Sequence, residues 1–260
     1  MDNILFITAF KDIRRDLWGV VPRSKYDYIR DFIPLAETLT YNLVVYVEDD
    51  VYETLQAYHF PSNIFLIKSK EVSNTFFDRY LESEREIMYS DQYKSKIPGD
   101  RKGAPEHLYP EYTLINHTKI NYVVDAKKRY PTYEYYSWLD FGAARINIHD
   151  VPKNICFERL QPKITYLVLN YPPQERVKED DMLKSHTIYF PGGQFIVHTS
   201  LVETFETLLE NKLLEWREKW VCDDDQNLIL QLYFDNPELF HLCQRNEWLS
   251  LFRCFFNGSN

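Results

Sequence analysis

The chain has 260 residues, with 30 Lys+Arg against 39 Asp+Glu and a formal net charge of -9. That balance excludes nucleic acid or an anionic membrane as the main partner, because tracking phosphates along a polymer or a lipid surface needs a basic excess. Hydrophobic residues at 45% exclude a disordered chain, and 260 residues suit a single α/β domain.

Residues 4–10, Ile-Leu-Phe-Ile-Thr-Ala-Phe, form a short continuous apolar run of the kind that fills the centre of a parallel sheet. A charged turn, Lys11 to Arg15, follows. Residues 25–39 have helical periodicity and are expected to bend or break at Pro34. Residues 42–47 and 63–67 are two further apolar runs, the first ending in Glu48-Asp49-Asp50. Strands alternating with helices predict a parallel sheet. Residues 90–112 mix charge, Pro and Gly and are expected to be a mobile loop.

Residues 114–128 predict one helix, leading to a strand over 135–139 that ends in Asp140-Phe-Gly142. Residues 163–170 predict another strand, stopped by Pro172-Pro173, and 174–184 a solvated loop. Residues 187–198 are strand-like but interrupted by Gly192-Gly193. A helix follows, with Ser200 and Glu203 spaced as a capping box. Cys222-Asp223-Asp224-Asp225-Gln226 then opens a short last helix over 227–233.

The four cysteines, at 156, 222, 243 and 254, form no Cys-x-x-Cys pair, which argues against a zinc site or a disulfide framework. Residues 4–10 are too short for the core of a signal peptide, and no apolar stretch approaches the roughly 20 residues of a membrane span. The expected setting is cytoplasmic, so the Asn-x-Ser/Thr triplets at Asn116 and Asn257 are read as chance matches. The 20 Tyr, 17 Phe and 5 Trp against 7 Gly imply a ring-rich core.

Ligands of open parallel sheets sit at the carboxyl ends of the strands, so polar residues just after apolar runs carry most weight. Asp140 is either a turn carboxylate or a cleft-facing one able to bind a ribose or a divalent cation. Gly192-Gly193 marks a bulge or a close approach of another group. One carboxylate would satisfy a helix dipole; three in a row at 223–225 exceed that need, and their repulsion raises at least one pKa. The histidines form no ligand pattern, and His198 and His241 read as core or surface residues.

Taken in order, Ile-Thr-Ala-Phe-Lys-Asp-Ile at 7–13, Asn-Leu-Val-Val-Tyr-Val-Glu-Asp at 42–49, Trp-Leu-Asp-Phe-Gly at 138–142, Gly-Gly-Gln-Phe at 192–195 and Asp-Asp-Gln at 224–226 resemble the HtrL/YibB-like family of glycosyltransferase-like proteins over about residues 4–240. The layout is also similar to the GT-A fold of glycogenin-like transferases. The resemblance implies a single α/β, Rossmann-like GT-A domain with a mainly parallel sheet flanked by helices. It implies transfer of a sugar from a nucleotide-diphosphate donor, UDP-sugar first among them, to a hydroxyl of a glycan acceptor. By the same resemblance Thr8, Ala9 and Phe10 hold the nucleotide, Lys119 touches the donor phosphates or sugar, and Gly192 and Gly193 line the sugar. Asp140 takes the first place of an Asp-x-Asp motif, and Asp225 or its neighbour Asp224 serves the acceptor.

One departure stands out, because the second acidic position of Asp-x-Asp is Gly142. A divalent cation (Mn or Mg) would then rest on Asp140 with a distant residue such as His241, or be replaced by Lys119 and arginines. Lys11, Arg14, Arg15 and Lys119 could supply a local cationic cluster, and Tyr89, Tyr93, Tyr109 and Tyr112 could stack on an acceptor sugar. The same residues leave two alternatives open. One is a catalytically inactive carbohydrate- or nucleotide-binding module on the same fold. The other, ranked below it, is a nucleotidyltransferase, disfavoured because the turn after the first strand has no glycine.

Overall fold

A computed structural model describes residues 3–143 and 151–256. The Asn257 triplet lies outside the described residues. Seven strands form one sheet: β1 (Ile4–Phe10), β2 (Leu43–Val47), β3 (Ile64–Lys68), β4 (Tyr135–Leu139), β5 (Ile164–Val168), β6 (Gln194–His198) and β7 (Phe240–Gln244), in the order β3-β2-β1-β4-β6-β5-β7. All neighbouring pairs are parallel except those of β6, which runs antiparallel to β4 and β5. The expected single α/β domain, Rossmann-like with a mainly parallel sheet flanked by helices, is what the chain adopts.

The central strands are apolar without alternation because both faces are covered. Leu5 and Ile7 point into one core layer, shared with α3 (Phe76–Tyr89), α7 (Lys119–Arg129), α9 (Val202–Glu218) and α10 (Asp225–Asp235). Ile4, Phe6 and Phe10 point into the other, under α1 (Lys25–Thr38), α2 (Asp49–Gln56) and the 3-10 turn Leu251–Phe255. Rings knit these layers: Phe32 stacks on Phe141 at 4.2 Å, and Phe6 meets Phe252 edge-on at 5.2 Å.

Several local expectations change. Helix α1 runs through Pro34 unbroken. Pro34 and Arg30 lie on the exposed side, where a carbonyl deprived of its helical partner can meet water. Residues 90–112 are mostly helical: α4 (Asp91–Lys96), α5 (Pro105–Leu108) and the start of α6 (Pro110–His117) lie within them. Tyr93 is fully buried there and donates its hydroxyl to the Cys222 carbonyl at 2.8 Å, with His107 Nδ1 2.7 Å away. That anchor converts a loop-like composition into a packed segment.

The helix expected over 114–128 is divided at Thr118, whose hydroxyl donates to the Leu114 carbonyl and accepts the Phe77 amide. The division makes Lys119 the first residue of α7. Within 174–184 a single turn of helix, α8 (Glu179–Met182), forms. The strand expected over 187–198 shortens to β6, leaving Gly192-Gly193 in the turn before it. Helix α9 begins without a side-chain cap, because the Ser200 hydroxyl lies 2.8 Å from His198 Nδ1 instead. Among the described residues no helix is long and apolar enough to cross a membrane.

Candidate functional site

The chain leaves β1 for α1 and α2 on one face, and reaches β4 through α3 to α7 on the other. The carboxyl ends of β1 and β4 therefore flank a topological switch point, where α/β sheets open a crevice. A cleft of about 410 Å³ lies there. Its walls are the β1 end (Ala9, Phe10, Lys11), the β4 end (Trp138, Asp140, Phe141, Gly142), Arg15, Arg23 and Tyr28 from the first connection, Tyr112 and Lys119 from α6 and α7, and Trp248 and Leu249.

Lys119 organises the floor. Its Nζ donates to Asp225 Oδ2 and to the Gly192 carbonyl, both at 2.8 Å, and lies 3.4 Å from Asp140 Oδ1. The residue is only 6% exposed. Burial by itself disfavours the ammonium, yet Asp140 and Asp225 outweigh it and hold the lysine above its ordinary pKa. Asp140 also accepts the Trp138 Nε1 hydrogen at 2.7 Å, and 42% of its side chain remains open to the cleft.

The paired glycines are required by the packing of this cluster. A Cβ on Gly192 would stand 2.2 and 2.3 Å from the two carboxylate oxygens of Asp225. A Cβ on Gly193 would stand 2.4 Å from Leu249 Cδ2. Their close neighbours are thus a carboxylate and a leucine of the chain itself. Leu249 holds a left-handed backbone at φ 64°, an uncommon conformation for a bulky residue and one that tends to mark sites held in place by their surroundings.

The three acids part company at α10. Asp224 caps the helix by accepting the Gln226 amide, and Asp223 accepts the Asp224 amide and the Asn227 side chain. Asp223 and Asp224 line a second cavity of about 640 Å³ with Arg101, Glu106 and His186, and Tyr112 lines both cavities. Burial, opposed by Asn227 and the Asp224 amide, pushes the Asp223 carboxyl up to about 7. Burial and then the charges of Asp223 and Asp225 push Asp224 well above the carboxylate range. Asp225 turns the other way, to Lys119; burial raises its pKa as well, against the pull of the ammonium.

The structure therefore brings Lys119, Asp140, Gly192, Gly193 and Asp225 into one contact group, with Ala9 and Phe10 on the wall of the cleft beside it. Thr8 is different: it is fully buried inside the sheet, and its hydroxyl has no hydrogen-bond partner among the described residues. His241 lies on β7 beside Thr165 of β5, and β5 and β6 stand between it and β4, so it is not brought to Asp140. Tyr93 is buried, and Tyr109 stacks on Trp18 at 3.9 Å, which leaves Tyr112 as the member of the expected tyrosine set that faces the cleft.

For a divalent cation the described residues fit poorly. Asp140 already faces an ammonium, Gly142 offers no ligand, and no group of three or more His, Cys, Asp or Glu side chains able to hold a metal occurs among the described residues. Arg23, Tyr28, Trp248 and Leu249 join the cleft without any sequence signal. None stands out in the sequence as a site residue, and only the fold carries Arg23 before α1, Tyr28 in its first turns and the segment after β7 to one crevice.

A Rossmann-like α/β domain with a lysine-centred cluster at its switch point is the class these features define. Comparison with known proteins places the chain more closely. A family model described as "Bacterial protein of unknown function (HtrL_YibB)" matches residues 2–257, and the chain belongs to that family. Protein HtrL of Escherichia coli (strain K12) is 24% identical over 270 residues, covering 96% of this chain and 91% of that protein. Among solved structures, 4-diphosphocytidyl-2C-methyl-D-erythritolsynthase from Anaerococcus prevotii aligns at 13% identity and TM-score 0.37, covering 93% of this chain and 86% of the other. Mannose-1-phosphate geranyltransferase from Thermus thermophilus aligns at 10% identity and TM-score 0.39, covering 94% and 74%.

Proposed function

We propose that the protein is a glycosyltransferase that moves a sugar from a nucleotide-diphosphate donor to a hydroxyl of a glycan acceptor. The observation that carries this reading is the buried Lys119, held by Asp140, Asp225 and the Gly192 carbonyl on the floor of an open cleft. It joins, in one contact group, residues from three of the five sequence segments on which the resemblance rests. The nucleoside lies against Ala9 and Phe10, and the sugar lies over Lys119 and Asp140. Asp225 positions Lys119.

Asp224 is the acceptor's base, and the acceptor approaches through the second cavity, which shares Tyr112 with the cleft. In a single displacement the acceptor oxygen bonds to the anomeric carbon, the bond from that carbon to the diphosphate breaks, and the acceptor proton passes to Asp224. Asp224 acts in its ionised form, and the burial and neighbouring carboxylates that raise its pKa make that carboxylate the stronger proton acceptor. The charge left on the diphosphate is met by the cations of the cleft.

Release of nucleoside diphosphate from a panel of nucleotide sugars, with oligosaccharide acceptors present, tests this. Asp224→Asn is expected to lower transfer by about a hundredfold or more while donor binding, followed by thermal shift, stays within about twofold. Full transfer by Asp224→Asn removes the base assignment. A second reading, a binding module without catalysis, is favoured by one observation: Lys119 already occupies the carboxylate of Asp225. Nucleotide binding with no turnover of any donor would establish it.

A further inference from the structure

Arg23 stands where the resemblance to Asp-x-Asp proteins expects negative charge. A side chain at position 142 would begin 3.4 Å from Arg23 Nη2 and 3.5 Å from Nη1, so both ends of the guanidinium face that place. The group is held there: Asp31 pairs with Nη2, and the Tyr28 ring centroid lies 3.9 Å below the guanidinium carbon. Arg15 reaches the same corner, donating from Nη1 to the Tyr28 hydroxyl at 2.9 Å. Both arginines line the cleft, together with Lys11.

We propose that Arg23, assisted by Arg15, binds the donor diphosphate directly, so that nucleotide binding needs no divalent cation. This deepens, and rests on, the nucleotide-diphosphate reading above. A divalent ion at Asp140 would meet the Lys119 ammonium 3.4 Å from that carboxylate and share the cleft with Lys11, Arg15 and Arg23, against the carboxylates of Asp12 and Asp140. A diphosphate has the opposite preference. Its oxygens match the planar fork of a guanidinium, and a guanidinium already fixed by a carboxylate and a ring loses little freedom on binding. Gly142 follows from the same arrangement, because any side chain there would fill the space between Arg23 and the ligand.

Titration calorimetry with inorganic pyrophosphate and with uridine diphosphate, in EDTA and then with manganese in place of EDTA, tests the inference. The wild type is expected to bind both probes in EDTA, and manganese to change uridine diphosphate affinity by less than about threefold. Arg23→Gln is expected to weaken both by about tenfold to a hundredfold, the range of a lost hydrogen bond to a charged group. Gly142→Asp keeps Arg23 but places a carboxylate on it, and is expected to weaken pyrophosphate similarly, with circular dichroism and the thermal midpoint reporting that each variant folds.

Uridine diphosphate binding that appears only with manganese overturns the inference and spares the nucleotide reading. Equal affinity in wild type and both folded variants also overturns it. Pyrophosphate binding that depends on Arg23, with no nucleotide binding in either buffer, leaves the anion site standing and removes the nucleotide reading. No binding of either probe overturns both.

Discussion

At the scale of single residues, Gly192 is the position with least latitude. Replacing it by Ala sets a methyl about 2.2 Å from a buried carboxylate that is itself held by Lys119, so backbone or ion pair must shift. Gly192→Ala is expected to destabilise the protein by about 1–3 kcal/mol in urea unfolding. Gly193→Ala meets the far end of the Leu249 side chain, which can rotate, and is expected to cost less. An order of effects reversed between the two would show that the cluster is looser than described. The residue types here were partly legible: Asp140 stands out at the end of an apolar run, the glycine pair as a break within one and Asp225 at a helix start, whereas Lys119 stands out only through the family resemblance. What each one touches was not. A glycine pair reads equally well as a bulge or as room for a sugar, and only coordinates show the Asp225 carboxylate in that space.

At the scale of elements, the segment over 90–112 shows how a few buried groups override composition. Ser90 caps α4 by accepting the Tyr93 amide at 3.1 Å, and the Tyr93 hydroxyl ties this helix to the loop that carries Asp223 and Asp224. Tyr93→Phe leaves the ring and removes the partner of the Cys222 carbonyl and of His107 Nδ1, while His107 Nε2 keeps Arg101. It is expected to cost about 1–3 kcal/mol, read as a lower denaturation midpoint with an unchanged slope. Loss of slope instead would mean that the segment detaches separately from the rest.

Capping is similarly decided in context. Ser24 with Asp27 and Thr75 with Asp78 form complete capping boxes, whereas Ser200 with Glu203 has the same look and forms none, because His198 takes the hydroxyl. Strands were the most legible elements. Their apolar runs are continuous and short, and burial on both faces leaves little choice of conformation.

At the scale of the whole molecule, the net charge of -9 coexists with a cleft to which Lys11, Arg15, Arg23 and Lys119 contribute against Asp12 and Asp140. The acidic excess lies partly in Asp223 and Asp224, and it has a consequence for stability. An Asp whose folded pKa is raised to about 7, against about 4 unfolded, holds a proton in the native state that the unfolded state has already released. Its contribution is therefore favourable at and below about pH 4 and is lost as pH rises to about 7. Buried His107 and His117, both held down to about 3, act in the opposite sense between about pH 3 and 6.5. The comparison that isolates the acid is Asp223→Asn against wild type: the variant should gain relative stability from pH 4 to pH 7. Parallel pH profiles for the two proteins would remove Asp223 from the account.

The sequence alone determined the class of fold and the order of the motifs, because alternation of buried strands and amphipathic helices is a local property written in hydrophobic periodicity. It also determined that carboxylates would fall at the end of a strand and the start of a helix, whereas Lys119 at a helix start and the glycine pair in a turn came only from the structure. The tertiary structure alone decided that Lys119 is tied to Asp225, that Asp224 opens into a different cavity, that His241 stands apart, and that Arg23 faces Gly142. Those are distances between segments up to 119 residues apart along the chain, set by how the sheet stacks its connections on two faces, and no local pattern encodes them.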